Sequence, residues 1–207
     1  MKYTGPVCRL CRREGEKLYL KGARCEGPKC PITKGRPAPG QHGLAASTAK
    51  KSEYAKQMRA KQKAKRIFTL TERVFSNYYQ AAERKEGVTG NELLKFLEKR
   101  FDNVLYRAGI ASSRKQARQL IGHGLCRLNN RVVDIASVQV KVGDKFEIKD
   151  SRKQINILKE ASAKKVLAPR WLKVDLKGLS GEVVAEPEKD DFEKSIESKY
   201  IIEYYSK

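Results

Sequence analysis

Four cysteines in two closely spaced pairs constrain the fold of the first 45 residues more than any other feature of the sequence. Two residues separate Cys8 from Cys11, and four separate Cys25 from Cys30. The surrounding segment is rich in Gly and Pro and has no sustained helical or strand period, so it cannot bury a core of its own. Two such pairs joined by a loop suit a tetrahedral ion bound by four thiolates. The pattern therefore predicts a structural Zn²⁺ site formed by Cys8, Cys11, Cys25 and Cys30.

The same four residues admit other interpretations. An iron–sulfur cluster, a redox-active dithiol and four unliganded thiols are the less favoured alternatives, and the imidazole of His42 could replace one cysteine. A catalytic zinc is disfavoured because four protein thiolates leave no open position for a substrate. Cys126 has no partner at metal-ligand spacing, and its position in a predicted strand indicates a small buried hydrophobic residue.

The net charge of +21 predicts a polyanionic partner. It arises from 45 Lys and Arg against 24 Asp and Glu, and residues 182–207 are net acidic. Self-repulsion of this size opposes compaction unless a partner neutralises it. No apolar run is long enough to cross a membrane and no secretory leader is visible, so we expect neither a membrane span nor a disulfide framework. Nucleic acid and an anionic membrane surface are the remaining candidates.

Capping patterns place several helices between residues 50 and 124. Thr69, Thr89 and Ser113 each precede a Glu or Gln by three residues, which predicts that each opens a helix. A strongly basic helix is predicted before them, over residues 52–67. The helix after Thr69 should end near residue 85. Its predicted apolar stripe contains Leu70, Val74, Tyr78, Ala81 and Ala82.

Short strands are predicted after Gly124. Asn129-Asn130 lies between two short apolar runs and predicts a tight hairpin turn. Alternating valines at 138–142 and the run 145–148 predict further strands of a small antiparallel sheet. Residues 155–166 are predicted to be helical, residues beyond Pro169 to be irregular or extended, and the apolar run 200–205 to dock on the body.

The basic helix is the first candidate for contact with phosphate. Its cations cover most of its circumference, whereas a solvated helix face usually mixes the two signs. A solvated face and an anionic membrane surface are the alternatives, but the helix lacks the bulky apolar face that membrane binding requires. The candidate residues in this region are Lys50, Lys51, Lys56, Arg59, Lys61, Lys63, Arg66 and Arg73.

The helix opened by Ser113 and the following hairpin form the second candidate. Arg and amide side chains on one surface suit the phosphates and 2′-hydroxyls of folded RNA. The N-terminus of the helix adds positive potential for a phosphate. The candidate residues here are Arg114, Lys115, Arg118, Gln119, His123, Arg127, Asn130 and Arg131.

The second candidate region resembles a known module. Residues 100–109 and 112–121, continuing through 122–124 and 128–135 to the turn at 142–144, are similar to the S4-type RNA-binding domain. Because this module occurs in several RNA enzymes, it does not fix the function by itself.

Further segments extend the resemblance over essentially the whole chain. They are Tyr3–Pro6, Arg12–Gly15, Pro39–Gly43, Tyr54, Lys61–Lys63, Arg66–Ile67, Glu72–Arg73, Phe75–Tyr79, Trp171–Leu172 and Tyr204–Lys207. With these segments the chain resembles the bacterial small-subunit ribosomal protein S4 (uS4) family in its zinc-binding form.

This resemblance implies a set of partners and a location. Members of the family bind a multi-helix junction in the 5′ domain of small-subunit rRNA early in assembly, contact ribosomal protein S5 and influence decoding accuracy. Their basic N-terminal surface lies near the mRNA entry channel, where Lys50 and Lys51 would guide message. The resemblance also implies a cytoplasmic, ribosomal protein that is not an enzyme and has no small-molecule substrate or membrane contact.

The expected fold class is α+β, with an N-terminal zinc knuckle and helical domain into which an S4-type domain of helices and a small antiparallel sheet is inserted. The expected segments are a zinc-binding arm at 1–45, a basic helical domain at 46–98, the S4 domain at 99–160 and a C-terminal segment at 161–207 that packs back on the helical domain. The acidic residues of 182–207 are either solvated or face a basic protein neighbour, and the neighbour is favoured.

Two other functions use the same features. An RNA-modifying enzyme with this module would need a separate catalytic domain, and the short segment after residue 160 shows no catalytic constellation. A zinc-dependent DNA-binding regulator would need a recognition helix beside the cysteines and, usually, a dimer interface.

Overall fold

The computed structural model describes residues 3–45, 50, 52–156, 158–159 and 168–206. The chain forms two compact units. One consists of Met1–Leu93 with Glu193–Lys207, and the other of Leu94–Phe192. Within the described residues, no helix combines the length and the apolar character that crossing a bilayer requires.

The first unit is helical and contains residues from both ends of the chain. Its helices are α1 (Cys8–Glu14), α2 (Ala23–Glu26), α3 (Glu53–Ile67), α4 (Glu72–Glu83), the start of α5 (Thr89–Glu98), and the C-terminal helix Ser198–Tyr205. The predicted basic helix is confirmed as α3, and the Ser52 hydroxyl accepts a hydrogen bond from the Ala55 N–H at 3.2 Å at its start. The C-terminal helix packs along α3, as predicted for the last apolar run.

The predicted start of α4 at Thr69 is wrong. The preceding helix ends in a Schellman motif, in which the Leu70 N–H donates to the Lys65 carbonyl and the Thr69 N–H donates to the Arg66 carbonyl. Thr69 therefore adopts a left-handed conformation with φ of 52°, and Thr71 becomes the N-cap residue. The later start shifts the buried stripe to Phe75, Tyr79 and Ala82, in place of the predicted Leu70, Val74, Tyr78 and Ala81.

The second unit combines helices with one antiparallel sheet. Helices α6 (Phe101–Arg107) and α7 (Arg114–Gly122) precede β1 (Cys126–Leu128), β2 (Arg131–Val133), β3 (Lys145–Ile148), β4 (Leu172–Asp175) and β5 (Ser180–Val183). The strand order is β2-β1-β3-β5-β4, with every neighbouring pair antiparallel. The predicted hairpin is confirmed, because Asn129 and Asn130 have φ of 50° and 64° between β1 and β2.

Other expectations about the second unit need correction. Residues 138–142 form a single bridge between Gln139 and Arg100 in place of a strand. Residues 172–183 supply two strands of this sheet, so the second unit extends to Phe192 and does not end at 160. Only the segment from Glu193 onward belongs to the helical unit, in place of the whole of 161–207. The helix predicted over 155–166 lies largely outside the described residues.

The core of the second unit lies between its two helices and the sheet. Phe101 and Leu105 from α6, Ile121 from α7, and Phe146 from β3 are at most 1 % exposed. Trp171, which precedes β4, is buried in the same cluster. This packing fixes α7 and the β1–β2 hairpin on one unit, and these two elements contain the predicted RNA-binding residues of the S4 domain.

Candidate nucleic-acid interface

The cations of α3 have carboxylate partners within the first unit. The pairs are Lys56 with Glu53, Arg59 and Arg66 with Glu14, Lys61 and Lys65 with Glu72, and Lys63 with Glu16. Four acidic residues therefore face six cations, and the group keeps a positive excess. Such ion pairs hold long side chains in defined positions while leaving net charge for an anionic partner.

Lys61 is a predicted contact that the structure places in the interior of the helical unit. Its side chain is 6 % exposed, and its Nζ lies 2.7 Å from Glu72 Oε1 and 4.1 Å from the centroid of the Tyr204 ring. The RNA contact predicted at Lys61 would require the side chain to leave these partners. Burial alone would raise the pKa of Glu72, but hydrogen bonds from Lys61, Lys65 and Tyr205 outweigh it and lower the pKa to about 2.

The arm that contains the four paired cysteines also contacts α3. We call residues 3–45 the cysteine arm. Glu14, the last residue of α1, inserts a carboxylate that is 3 % exposed between Arg59 and Arg66. Burial raises the pKa of this carboxyl although both arginines act to lower it. Glu16 pairs with Lys63 beside it.

Two arginines of α7 point into a buried polar network. Arg114 is 5 % exposed, its Nε donates to Asn103 Oδ1 at 2.8 Å, and its guanidinium lies 4.5 Å from the centroid of the Tyr106 ring. Arg118 Nε donates to Asp102 Oδ2 at 3.1 Å, and the same carboxylate binds Arg100. Arg114 is therefore an interior residue, and the RNA contact predicted at this position would require its guanidinium to leave Asn103.

The other predicted contacts of this unit lie along the outer part of α7 and on the hairpin. The exposed residues there are Gln119, His123, Asn130 and Arg131, and the half-buried ones are Lys115 and Arg127. Arg127 Nη1 lies 3.3 Å from Glu147 Oε1 on the adjacent strand. In the helical unit Lys50, Lys56 and Arg73 are exposed, while Lys51 lies outside the described residues.

The helix start at Ser113 confirms half of the predicted capping box. The Ser113 hydroxyl accepts a hydrogen bond from the Gln116 N–H at 3.3 Å. The Gln116 side chain accepts from the N–H of Ser112 at 2.6 Å. The first turn of α7 is thereby anchored, which fixes the direction of the helix.

The acidic partners of these cations could not be found by sequence reasoning. Glu14 lies 52 residues before Arg66 and has no local motif. Glu98 accepts hydrogen bonds from Asn103 at 2.6 Å and from Arg107 at 2.8 Å, and it is completely buried. No periodicity distinguishes these glutamates from solvated ones.

The four paired cysteines share one neighbourhood of the cysteine arm. Cys11, Cys25 and Cys30 are buried and Cys8 is half-buried. Burial raises the pKa of the Cys11 thiol, a backbone hydrogen bond at Leu18 opposes this, and the charges of Cys25, Cys8 and Cys30 raise the pKa further. None of the five cysteines forms a disulfide. However, no group of three or more His, Cys, Asp or Glu in the described part of the chain has the geometry of a metal site.

The fifth cysteine confirms its expected structural role. Cys126 is completely buried in β1, and desolvation raises the pKa of its thiol to about 12. Such a thiol is not a nucleophile at neutral pH. His42 is exposed in its loop.

Comparison with known proteins assigns this architecture to a family. Residues 2–98 match the ribosomal protein S4/S9 N-terminal domain, and residues 99–146 match the S4 domain. The chain is 48 % identical over its full length, and over 99 % of the relative, to small ribosomal subunit protein uS4A of Symbiobacterium thermophilum. It is 48 % identical, with the same coverage, to small ribosomal subunit protein uS4 of Kosmotoga olearia, and 45 % identical to that of Natranaerobius thermophilus.

The chain belongs to the small ribosomal subunit protein uS4 family.

Membership in the uS4 family confirms the resemblance inferred from the sequence and removes both rival functions. The family consists of structural ribosomal proteins and not of enzymes, which excludes the RNA-modifying enzyme. The two matched domains meet between residues 98 and 99. The α+β class is confirmed as a helical N-terminal domain with an S4 domain of helices and a small antiparallel sheet. The zinc form of the family stays a prediction.

Proposed function

We propose that this uS4-family chain is a structural rRNA-binding protein of the small ribosomal subunit. The observation that supports this most is the S4 domain over residues 99–146, in which α7 and the β1–β2 hairpin expose amide, imidazole and guanidinium groups. Groups of this kind suit phosphates and 2′-hydroxyls on the wide minor groove of RNA helices. By the resemblance, the target is a multi-helix junction in the 5′ domain of small-subunit rRNA.

The cations of α3 would provide the electrostatic part of binding. Each Lys or Arg that neutralises a phosphate releases counterions, so the affinity falls as salt rises. The slope of log K against log salt should steepen by roughly 0.7–0.9 for each contact. Exposed Lys50 and Arg73 and the partly exposed Arg59, Lys63 and Arg66 are the proposed contacts of this unit.

Equilibrium binding across a salt series tests this function. The full chain is titrated against a transcript of the 5′ domain of small-subunit rRNA, with duplex DNA of equal length as competitor. We expect tight binding that depends on an intact junction and survives excess DNA. Equal, salt-sensitive binding to both nucleic acids would leave only a charge effect and would contradict the proposal.

We also propose that Cys8, Cys11, Cys25 and Cys30 hold a structural Zn²⁺. Three of the thiols are buried, the Lys21 N–H donates to Cys25 Sγ at 3.3 Å, and backbone N–H groups of Thr33 and Ile32 outweigh the effect of burial and lower the pKa of Cys30. Hydrogen bonds of this kind stabilise thiolates, the form that binds metal. Bound zinc would cross-link the two cysteine pairs and contribute on the order of 10–16 kcal/mol of apparent folding free energy.

Metal analysis and thiol protection test the zinc proposal. We expect about one zinc per chain after purification without chelators, and faster alkylation of the four paired cysteines after chelation. Cys25→Ser should abolish zinc binding, whereas His42→Ala and Cys126→Ala should retain it. A chain that contains no zinc, and whose thiol reactivity does not change on chelation, would contradict the proposal.

Contacts with ribosomal protein S5 and with mRNA at the entry channel are proposed on the family resemblance. Part of the acidic segment has internal partners, since Glu186 Oε1 lies 2.8 Å from Lys99 Nζ. Asp190 and Glu197 are exposed and are the proposed contacts of a basic protein neighbour. Charge reversal at Asp190 and Glu197 should weaken assembly with ribosomal protein S5, while unchanged assembly and decoding fidelity would contradict this contact.

Replacing Lys50 by Glu should reduce binding of message to assembled subunits, and unchanged binding would contradict the mRNA contact.

A further inference from the structure

Glu14 is a buried carboxylate that belongs to the cysteine arm but binds the basic helix. Its Oε1 lies 3.6 Å from Arg59 Nη1 and accepts a hydrogen bond from Arg66 Nη1. The glutamate side chain is 3 % exposed, whereas those of Arg59 and Arg66 are 27 % and 19 % exposed. The carboxylate thus lies beneath two guanidinium groups that still reach the surface.

The position of the two arginines on α3 explains why they need this partner. Residues seven apart lie almost on one line along a helix, about 10 Å apart along its axis. Guanidinium groups brought together from such positions repel each other unless an anion lies between them. One carboxylate shared by two arginines leaves one positive charge in excess. It also engages a minority of their N–H donors, since each guanidinium has five.

The location of Glu14 ties this pair to the cysteine arm. Glu14 ends α1, the helix that also contains Cys8 and Cys11, and the left-handed Gly15 closes that helix. The ion pair between Glu16 and Lys63 lies next to it and joins the same two segments. The arm therefore sets where the Glu14 carboxylate lies and, through it, where the two guanidiniums lie.

We infer that Glu14 is a positioning residue of the RNA-binding surface, which holds Arg59 and Arg66 in a fixed geometry that receives the RNA backbone. The inference rests on the proposed rRNA binding. It predicts a change in RNA affinity opposite to the change that net charge alone predicts. Removing a negative charge near RNA should strengthen binding if charge alone matters, and should weaken binding if the carboxylate orders the arginines.

The test compares Glu14→Gln with Glu53→Gln in the full chain. Glu53→Gln is the matched control because it removes the same charge from α3 itself. The Glu53 side chain is 68 % exposed and pairs with Lys56, its neighbour on the helix. With the 5′-domain transcript in a salt series, we expect Glu14→Gln to bind about tenfold more weakly, the loss of one well-ordered charge-assisted contact. Its salt slope should fall by roughly 0.7–0.9, although no cation was removed. Glu53→Gln should bind at least as tightly as the unaltered chain.

The inference is overturned if Glu14→Gln binds RNA as tightly as Glu53→Gln does. The proposed function stays intact in that case as long as the unaltered chain selects rRNA over duplex DNA. An unaltered chain that fails to select rRNA would overturn both. Cysteine alkylation reports whether the arm of Glu14→Gln is folded. If it is not, Glu14→Asp decides, because it keeps the charge but shortens the side chain by one methylene. We expect weaker binding and a lower slope from Glu14→Asp, and unchanged values would overturn the inference.

Discussion

Among single residues, Glu72 connects α3, α4 and the C-terminal helix through Lys61, Lys65 and Tyr205. Its pKa of about 2 in the folded protein lies below the ordinary value of 4.5. Its contribution to stability is therefore complete above about pH 4.5 and is lost as the pH falls through about 2. We expect Glu72→Gln to lower the free energy of unfolding by about 1–2 kcal/mol at pH 6. The effect is no larger because the carboxylate is partly exposed and solvent screens its interactions.

Denaturant unfolding at pH 6, 4 and 2 measures this difference, which should shrink as the pH is lowered. Glu53→Gln, which alters an exposed pair of neighbours on α3, serves as the control and should differ little from the unaltered chain at every pH. A Glu72→Gln difference that stays constant between pH 6 and pH 2 would contradict the role assigned to Glu72.

Removing either of two arginines of the S4 domain should affect a different property, stability for Arg114 and RNA binding for Arg131. Arg114→Ala leaves the buried Asn103 side chain without its guanidinium partner, so we expect a loss of about 2–4 kcal/mol of stability. Arg131 is exposed on the hairpin. Arg131→Ala should keep the melting temperature and lower the salt slope of RNA binding by roughly 0.7–0.9. Melting curves and binding titrations of both variants decide. Loss of stability in Arg131→Ala, or an unchanged melting temperature in Arg114→Ala, would contradict the assignment.

The sequence identifies the cations at this scale but not which of them are exposed. Lys61 and Lys63 lie on one helix with similar neighbours, yet Lys61 is buried because Glu72 and two tyrosines of the C-terminal helix cover it. Such burial depends on residues distant in sequence, and local charge patterns do not contain that information.

At the scale of elements, two glycines test the packing of the second unit. A Cβ at Gly181 in β5 would lie 2.6 Å from Phe146 Cζ and 2.8 Å from the Lys173 carbonyl oxygen. Gly181→Ala should therefore cost about 1–3 kcal/mol. A Cβ at Gly122, the last residue of α7, meets nothing within 4 Å. Gly122→Ala should be neutral or stabilise by up to about 1 kcal/mol. Denaturant unfolding of the two variants gives the comparison, and equal effects would contradict the described packing of β5 on β3.

Elements with local determinants are the ones that the sequence predicts. Ser113 caps α7 as expected, α3 forms where the basic helix was predicted, and the asparagine pair forms the predicted turn. Strands β4 and β5 exist because β5 pairs with β3 across more than thirty residues of chain, which no local pattern records. Thr69 does not cap α4 because it is already part of the Schellman motif that ends the preceding helix.

At the scale of the whole molecule, the helical unit needs both ends of the chain. The C-terminal helix packs along α3, and Tyr205 stacks on Tyr79 with centroids 4.5 Å apart. We expect deletion of residues 198–207 to destabilise the helical unit by several kcal/mol, because it exposes this aromatic cluster and removes the two tyrosine rings that cover Lys61. Hydrogen exchange should rise across α3 and α4, with the strands of the second unit as internal reference. Unchanged protection of α3 would contradict this account.

The central claim is that this chain recognises one place on small-subunit rRNA through α3, α7 and the β1–β2 hairpin. Footprinting of the 5′-domain transcript by the full chain at saturating concentration tests it most directly. The account predicts a discrete protected junction, with protection lost locally in Arg131→Ala and in Arg59→Ala. Diffuse protection over the whole transcript, or a footprint indifferent to both substitutions, would contradict it.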